Sequence, residues 1–127
     1  MNRRSVLVVD DDVDIREVLA EILEEGGFDV GTAANGREAL DIVRDKDVQP
    51  SAILLDLMMP ILDGYGFLER RRLDSAVASI PVAIITAGHG VDRHRIGEGV
   101  PIIAKPFTAQ QVIDILQRLV SRPIERQ

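Results

Sequence analysis

The sequence contains no cysteine and no long, uninterrupted apolar stretch. The lack of cysteine excludes disulfides and thiolate metal ligands, and it fits a reducing compartment. No apolar run approaches the ~20 residues that a helix needs to cross a bilayer. Acids follow the basic N-terminus at once, where a signal peptide would have an apolar core and a cleavage site. We therefore expect a cytoplasmic protein with no membrane partner.

The remaining composition is that of a folded domain with an acidic surface. The chain has 127 residues, of which 46% are hydrophobic, and a domain of this length can bury roughly two-thirds of its unfolded surface. The net charge of −6 argues against nucleic acid as a direct partner. No repeat, linker or low-complexity segment interrupts the chain. We expect one domain over residues 1–127, with a core at about 5–121 and a frayed C-terminal tail.

Short apolar runs alternate along the chain with segments of helical periodicity. This alternation predicts a doubly wound α/β fold, in which a five-stranded parallel sheet carries helices on both faces. Residues 87–100 are rich in glycine and have poor helical periodicity, so the fourth helix should be short or irregular. The predicted strands cover residues 6–9, 29–33, 52–55, 82–85 and 100–104, and the other helices cover residues 14–25, 37–45, 64–74 and about 109–121.

Polar residues stand where the predicted strands end: Asp10 and Asp11, Asp56, Thr86 and Lys105. In such sheets ligands bind at the carboxyl ends of the strands, so these side chains should meet at one edge. Two like charges ~4 Å apart repel by about 4 kcal/mol at an effective dielectric constant near 20, so the acids need a counter-charge. Carboxylate oxygens suit Mg²⁺. Together with a hydroxyl and a lysine they predict a phosphoryl-binding site, in which a carboxylate could form an aspartyl-phosphate.

Four segments carry a resemblance to a known family: VLVVDDD, ILLDLMMPILDGYGFL, IPVAIITA and AKPF, in that order. With these segments the sequence resembles receiver domains of two-component response regulators over nearly its whole length. The resemblance implies the flavodoxin-like strand order 2-1-3-4-5. It also implies a phosphoprotein of a phosphorelay that is not itself an enzyme beyond Mg-dependent self-phosphorylation and self-dephosphorylation. It would serve as a stand-alone regulator or as the receiver of a larger protein.

The resemblance also implies partners and a metal site. A histidine kinase or a histidine phosphotransfer protein would supply the phosphoryl group, and the downstream protein partner is unknown. Asp56 matches the phosphoacceptor. Asp10 and Asp11 match the acidic pair that holds Mg²⁺ together with Asp56, and the backbone carbonyl of Met58 would complete the ligand set.

The remaining positions of the resemblance concern switching. Thr86 matches the switch hydroxyl, Lys105 matches the phosphate-binding lysine, and the bond between Lys105 and Pro106 would be a cis peptide. Ile102 is a departure, because the family often has tyrosine or phenylalanine there as a rotating switch aromatic. Residues 88–99 are a second departure, because the segment is short and glycine-rich and we expect few core contacts to hold it.

Two other functions compete with the receiver interpretation. A haloacid-dehalogenase-like phosphatase also forms an aspartyl-phosphate, but it usually has a second aspartate two residues after the nucleophile, where this chain has Met58. A degenerate receiver that only binds protein is disfavoured by the complete set of acids, threonine and lysine. Among the other charged residues, Asp12 or Asp14 could simply cap the first helix, and Arg70, Arg71 and Arg72 should form a solvated helix face.

Overall fold

The five predicted strands form one parallel sheet. The computed structural model describes residues 4–87 and 89–121, so the predicted frayed tail lies outside the described residues. The strand order is β2-β1-β3-β4-β5, with all neighbours parallel, which confirms the predicted fold class and order. The strands are β1 (Ser5–Val9), β2 (Asp29–Ala33), β3 (Ala52–Asp56), β4 (Val82–Thr86) and β5 (Ile102–Ala104).

The burial of each strand follows its place in the sheet. Every residue of β3 and β4 is buried, because helices cover both faces of the central strands. The outer strand β5 has only three residues and begins at Ile102, two residues later than predicted. Pro101, just before it, has no N–H to donate, and only its carbonyl joins the ladder, by accepting from the Ile84 N–H at 2.8 Å.

The helices begin at side-chain caps. Asp12 caps the first helix by accepting from the N–H groups of Asp14 and Ile15, which bears out the capping interpretation for this residue. The fourth helix is four residues long, as the short-helix prediction required. None of the described helices has the length and apolar character of a bilayer-spanning segment. The helices are α1 (Val13–Glu25), α2 (Gly36–Val43), α3 (Gly64–Arg72), α4 (Arg93–Ile96) and α5 (Ala109–Ser121), with a 3-10 turn at Lys46–Val48.

Two apolar cores lie on opposite faces of the sheet. Alternate strand residues point to opposite faces, so Val8 joins one core and Val9 the other. Leu19 of α1 and Leu116 of α5 fill the first core. Helices α2, α3 and α4 fill the second, where Phe67 is one of the largest fully buried side chains.

The segment around α4 is better anchored than its sequence suggests. Ile96 is 5% exposed and belongs to the second core, and Val91 packs against the same core. The expectation that few core contacts hold this segment is therefore wrong for residues 91–96. The five-residue spacing of the two apolar residues does not match a helical repeat, so periodicity gave no sign of their burial.

Candidate functional site

The predicted site residues meet at the carboxyl edge of the sheet. Asp56 and Thr86 are the last residues of β3 and β4, while Asp10 and Lys105 directly follow β1 and β5. Asp10, Asp56 and Thr86 are buried, with 1%, 5% and 3% of their surface exposed, whereas Asp11 is exposed. The parallel topology therefore collects residues from the ends of four strands into one site.

Three carboxylates cluster at this edge. Asp10, Asp11 and Asp56 each offer one oxygen, and these oxygens all lie within 4.8 Å of one another. All three donors are hard oxygens that carry charge, and two of them belong to buried residues, where unbalanced charge is costly. This donor set fits a hard divalent cation such as Mg²⁺, which takes carboxylates and keeps several of its waters.

Lys105 supplies the positive charge of the site. Its ammonium nitrogen lies 3.3 Å from Oδ2 of Asp10 and 3.8 Å from Oδ2 of Asp56, with a quarter of the side chain exposed. The Lys105 N–H donates to the Thr86 carbonyl at 2.7 Å, which ties the lysine to the end of β4. The Lys105–Pro106 peptide bond is cis.

The environment of Asp56 changes its acidity. Burial raises the pKa of Asp56 from 3.8 to about 6, and the nearby charge of Asp10 adds to this increase. The charge of Lys105 and the backbone N–H groups of Met58 and Leu57 oppose the increase, because they stabilise the carboxylate. The Asp56 carboxyl therefore has a pKa of about 6, and any added positive charge beside it favours the carboxylate form.

The loop of residues 57–63 leads from Asp56 to α3, and the start of α3 packs tightly against the backbone at Asp56. A Cβ on Gly64 would lie 2.5 Å from the Asp56 carbonyl oxygen and 2.8 Å from the Leu57 Cα, so only glycine fits there. The Gly64 N–H donates to the Leu57 carbonyl at 2.9 Å. Within the loop, the Met58 side chain is 71% exposed, and Ile61 is 81% exposed with a left-handed φ of 72°.

Comparison with known proteins identifies the family. The profile described as "Response regulator receiver domain" matches residues 6–117. The chain belongs to this receiver family. It is 36% identical over 126 residues to the probable transcriptional regulator ycf27 of Cyanophora paradoxa, covering 96% of this chain and 50% of the relative. It is 35% identical over 123 residues to the response regulator Rre1 of Synechocystis sp., covering 93% and 52%. The chain thus spans about half the length of these curated relatives.

Solved receiver structures match the fold. The chemotaxis response regulator CheY4 of Vibrio cholerae is 30% identical, with a TM-score of 0.81 over 93% of this chain and 99% of that one. The receiver domain of NtrX from Brucella abortus is 32% identical, with a TM-score of 0.80 over 93% and 99%. The protein therefore carries a receiver domain of the kind found in response regulators.

Two contacts in this receiver site were not expected from the sequence. A guanidinium nitrogen of Arg16, in the second turn of α1, donates to the Asp10 carbonyl at 2.7 Å and helps to fix the end of β1. The Asp12 N–H donates to Oδ1 of Asp10 at 2.9 Å, so Asp12 supports the site while its own side chain caps α1. The only sequence signal for Arg16 is its place six residues after Asp10, close to the start of a helix.

The arginines of α3 differ from the expected solvated face. Arg71 is half-buried and donates through two nitrogens to the Ile80 carbonyl, at 2.6 and 3.1 Å. Burial lowers the pKa of Arg71, and the charge of Arg72 contributes to the decrease. Arg71 therefore fixes the approach to β4, whereas Arg70 and Arg72 are exposed as predicted.

Proposed function

We propose that Asp56 accepts a phosphoryl group from the phosphohistidine of a histidine kinase or histidine phosphotransfer protein. The observation that carries this proposal is the position of the buried Asp56 carboxylate between Lys105 and two further carboxylates. The receiver family membership supports it. In this role the domain switches a protein-interaction surface for a downstream protein partner.

The transfer is an in-line displacement at phosphorus. A carboxylate oxygen of Asp56 forms a bond to phosphorus while the bond between phosphorus and the imidazole nitrogen breaks, and the electron pair stays on the donor's histidine. The ammonium group of Lys105 neutralises charge on the equatorial phosphoryl oxygens. Mg²⁺, when held by the carboxylates of the site, would supply further neutralisation of those oxygens. The product is an aspartyl-phosphate on Asp56.

The surrounding residues hold the metal and respond to the product. Asp10, Asp11 and Asp56 would bind Mg²⁺ through their carboxylates, and the backbone carbonyl of Met58 would add a fourth protein ligand. The hydroxyl of Thr86 would hydrogen-bond the phosphoryl group and draw the start of the following loop inward. Such a movement biases a two-state surface because the phosphorylated site favours one of the two states.

Labelling with a small phosphodonor tests the acceptor assignment. Acetyl phosphate with Mg²⁺ should add one phosphoryl group to the wild type, as measured by intact-protein mass spectrometry, and none to Asp56→Asn. Asp63→Asn is the matched control, because asparagine also caps helices well and the position keeps its role at the start of α3. Full labelling of Asp56→Asn would refute the assignment.

A calorimetric titration tests the metal assignment. Asp11→Asn removes one exposed carboxylate and should weaken Mg²⁺ binding about fivefold or more, because a charge ~4 Å away contributes at least ~1 kcal/mol. Asp12→Asn keeps the α1 cap and removes a charge one position further along, so it should bind Mg²⁺ much more nearly like the wild type. Equal affinities of the two variants would contradict the proposed ligand set.

A further inference from the structure

A buried tyrosine joins the first turn of α3 to the start of α4. Tyr65 is 8% exposed, and its hydroxyl accepts a hydrogen bond of 2.8 Å from the Asp92 N–H. Asp92 is the N-cap of α4, where its own side chain accepts from the His94 N–H at 3.1 Å. The Tyr65 hydroxyl therefore holds the residue at which α4 begins.

Tyr65 is also next in the chain to a residue that packs against the backbone of Asp56, the proposed phosphoacceptor. It follows Gly64, the residue that packs without room for a Cβ against the Asp56 carbonyl. The Asp63 side chain accepts from the Gly66 N–H at 2.8 Å and closes the first turn around Tyr65. A displacement of the backbone at Asp56 is thus passed to Tyr65 through direct contacts between backbone atoms.

The chain segment between Thr86 and Asp92 is anchored at both ends. At Thr86 the carbonyl accepts from the Lys105 N–H at 2.7 Å, and at Asp92 the N–H donates to Tyr65 at 2.8 Å. Between these anchors lie residues 87–91, which include the exposed Gly90 with a left-handed φ of 65°. Any inward movement of Thr86 must therefore be accommodated by this short segment or by release of its second anchor.

We propose that Tyr65 is a positioning residue that holds the segment between Thr86 and α4 in its resting place and so opposes the switch. This inference rests on the proposed function, because it concerns the response to phosphorylation at Asp56. A contact that is present only in the resting state stabilises that state, and its removal increases the population of the switched state. The hydrogen bond of the Tyr65 hydroxyl therefore adds to the free energy that binding at Asp56 must supply before the domain switches.

The other polar contacts between α3 and α4 are more exposed. The Arg95 guanidinium lies 4.5 Å from the centroid of the Tyr65 ring and pairs with Glu69 at 2.8 Å, with nearly half of each charged side chain exposed. Exposed ion pairs contribute little to stability, because water and salt screen them. Breaking the Arg95–Glu69 pair is therefore a control that loosens the same interface without touching the Tyr65 hydroxyl.

Beryllofluoride, a tetrahedral substitute for the phosphoryl group, provides the test. Tyr65 is the only tyrosine and the sequence has no tryptophan, so the ultraviolet emission of the wild type reports on this side chain alone and should change when beryllofluoride and Mg²⁺ bind. Calorimetry then compares the variants. Tyr65→Phe should bind beryllofluoride about threefold to tenfold more tightly, which is the effect of one net hydrogen bond. Glu69→Gln should bind like the wild type.

Hydrogen exchange measures the anchor directly. Without beryllofluoride, the amides of residues 92–96 should exchange several-fold faster in Tyr65→Phe than in the wild type or Glu69→Gln. Faster exchange with unchanged beryllofluoride affinity would show a purely structural contact and overturn the inference. Weaker binding by Tyr65→Phe, or unchanged exchange, would overturn it as well.

The proposed function and this inference fail in different ways. If wild type and Asp56→Asn respond alike to beryllofluoride with Mg²⁺, the phosphoacceptor assignment fails. If the wild type alone responds and Tyr65→Phe binds as the wild type does, only the positioning role of Tyr65 fails.

Discussion

The ammonium nitrogen of Lys105 lies 3.3 Å from a carboxylate oxygen of Asp10, a residue 95 positions earlier in the chain. The distance from the same nitrogen to Asp56 is longer, at 3.8 Å. The Lys105 ammonium group therefore lies closer to Asp10, the most deeply buried acid of the site, than to the proposed acceptor Asp56. A ligand that takes over the charge of Asp10 leaves the lysine free to turn toward groups on Asp56.

Removing Lys105 should affect stability, phosphorylation and the conformational response to phosphorylation to different degrees. Lys105→Ala leaves the buried Asp10 without its cation and should lower the free energy of unfolding by about 2 kcal/mol, less than for a fully buried pair because the lysine is partly exposed. Phosphate uptake from acetyl phosphate should slow but persist, because Mg²⁺ still neutralises the phosphoryl oxygens, while the nuclear magnetic resonance shifts around Thr86 should lose their response to phosphorylation. Lys46→Ala, at the only other lysine, is the control for lost charge. A normal Thr86 response in Lys105→Ala would contradict the assigned role.

The acidity of Asp56 predicts a pH-dependent stability. Its pKa is raised to about 6 in the folded protein, so between about pH 4 and 6 unfolding releases a proton and stability falls as the pH rises. A shift of about two units corresponds to about 3 kcal/mol. When a chelator has removed all metal, the free energy of unfolding at pH 7.5 should be higher for Asp56→Asn than for the wild type, by up to about 3 kcal/mol. The gain should vanish near pH 4 in denaturant titrations. Asp41→Asn, at an exposed position of α2, controls for the lost charge, and a pH-independent gain in Asp56→Asn would argue against the burial effect.

The close approach of α3 to the acceptor predicts a strict glycine requirement. Gly64→Ala places a Cβ 2.5 Å from a backbone oxygen and should lower stability by about 1–3 kcal/mol, as overpacking does. Phosphorylation by acetyl phosphate should also slow, because the backbone of Asp56 must move. At Gly31, on β2, an added Cβ would lie 3.7 Å from its nearest neighbour, so Gly31→Ala should lose no stability. Equal melting temperatures for the two variants would count against the steric argument.

The backbone at Ile61 predicts a stabilising substitution. The residue has φ 72° and is 81% exposed, so it has little burial to lose, and the left-handed conformation costs most residues about 1–2 kcal/mol. Asparagine adopts this conformation more readily, and Ile61→Asn should raise the free energy of unfolding by about 1 kcal/mol. Val48→Asn, 57% exposed in the 3-10 turn, lacks the left-handed backbone and should bring no comparable gain. A loss of stability in Ile61→Asn would reveal contacts of the side chain that outweigh the strain.

The sequence predicted the strands and the site because both depend on short-range patterns. Strands β3 and β4 are continuous apolar runs that end in a polar residue, and a parallel topology brings such ends together whatever the intervening helices do. The position of Asp56 at the site follows from this rule alone. The order of the strands came instead from the resemblance to receivers, whereas the place of Lys105 at the site followed from its position directly after the last strand.

The contacts that were missed depend on three-dimensional packing between segments that are distant in sequence. The sequence pattern predicts only that Tyr65 lies in a helix with its ring buried. Nothing near it in the sequence indicates that its hydroxyl accepts a hydrogen bond from the Asp92 N–H. Arg71 lies in a run of three arginines, and only the path of the chain into β4 distinguishes it from its neighbours. Periodicity reports which face of a helix is buried, but it does not report the partner of a polar group at the edge of that face.

The separation of 95 positions between Asp10 and Lys105 also separates the two residues in time during synthesis. Chains emerge from the ribosome with the N-terminal end first, so the acids at the carboxyl ends of β1 and β3 are exposed to water well before the lysine after the last strand is made. Until then the carboxylates at this edge lack the cation that the lysine provides, and free cations of the cell can supply the counter-charge. The completed salt bridge consequently marks folding through β5, and a chain truncated before residue 105 would lack it.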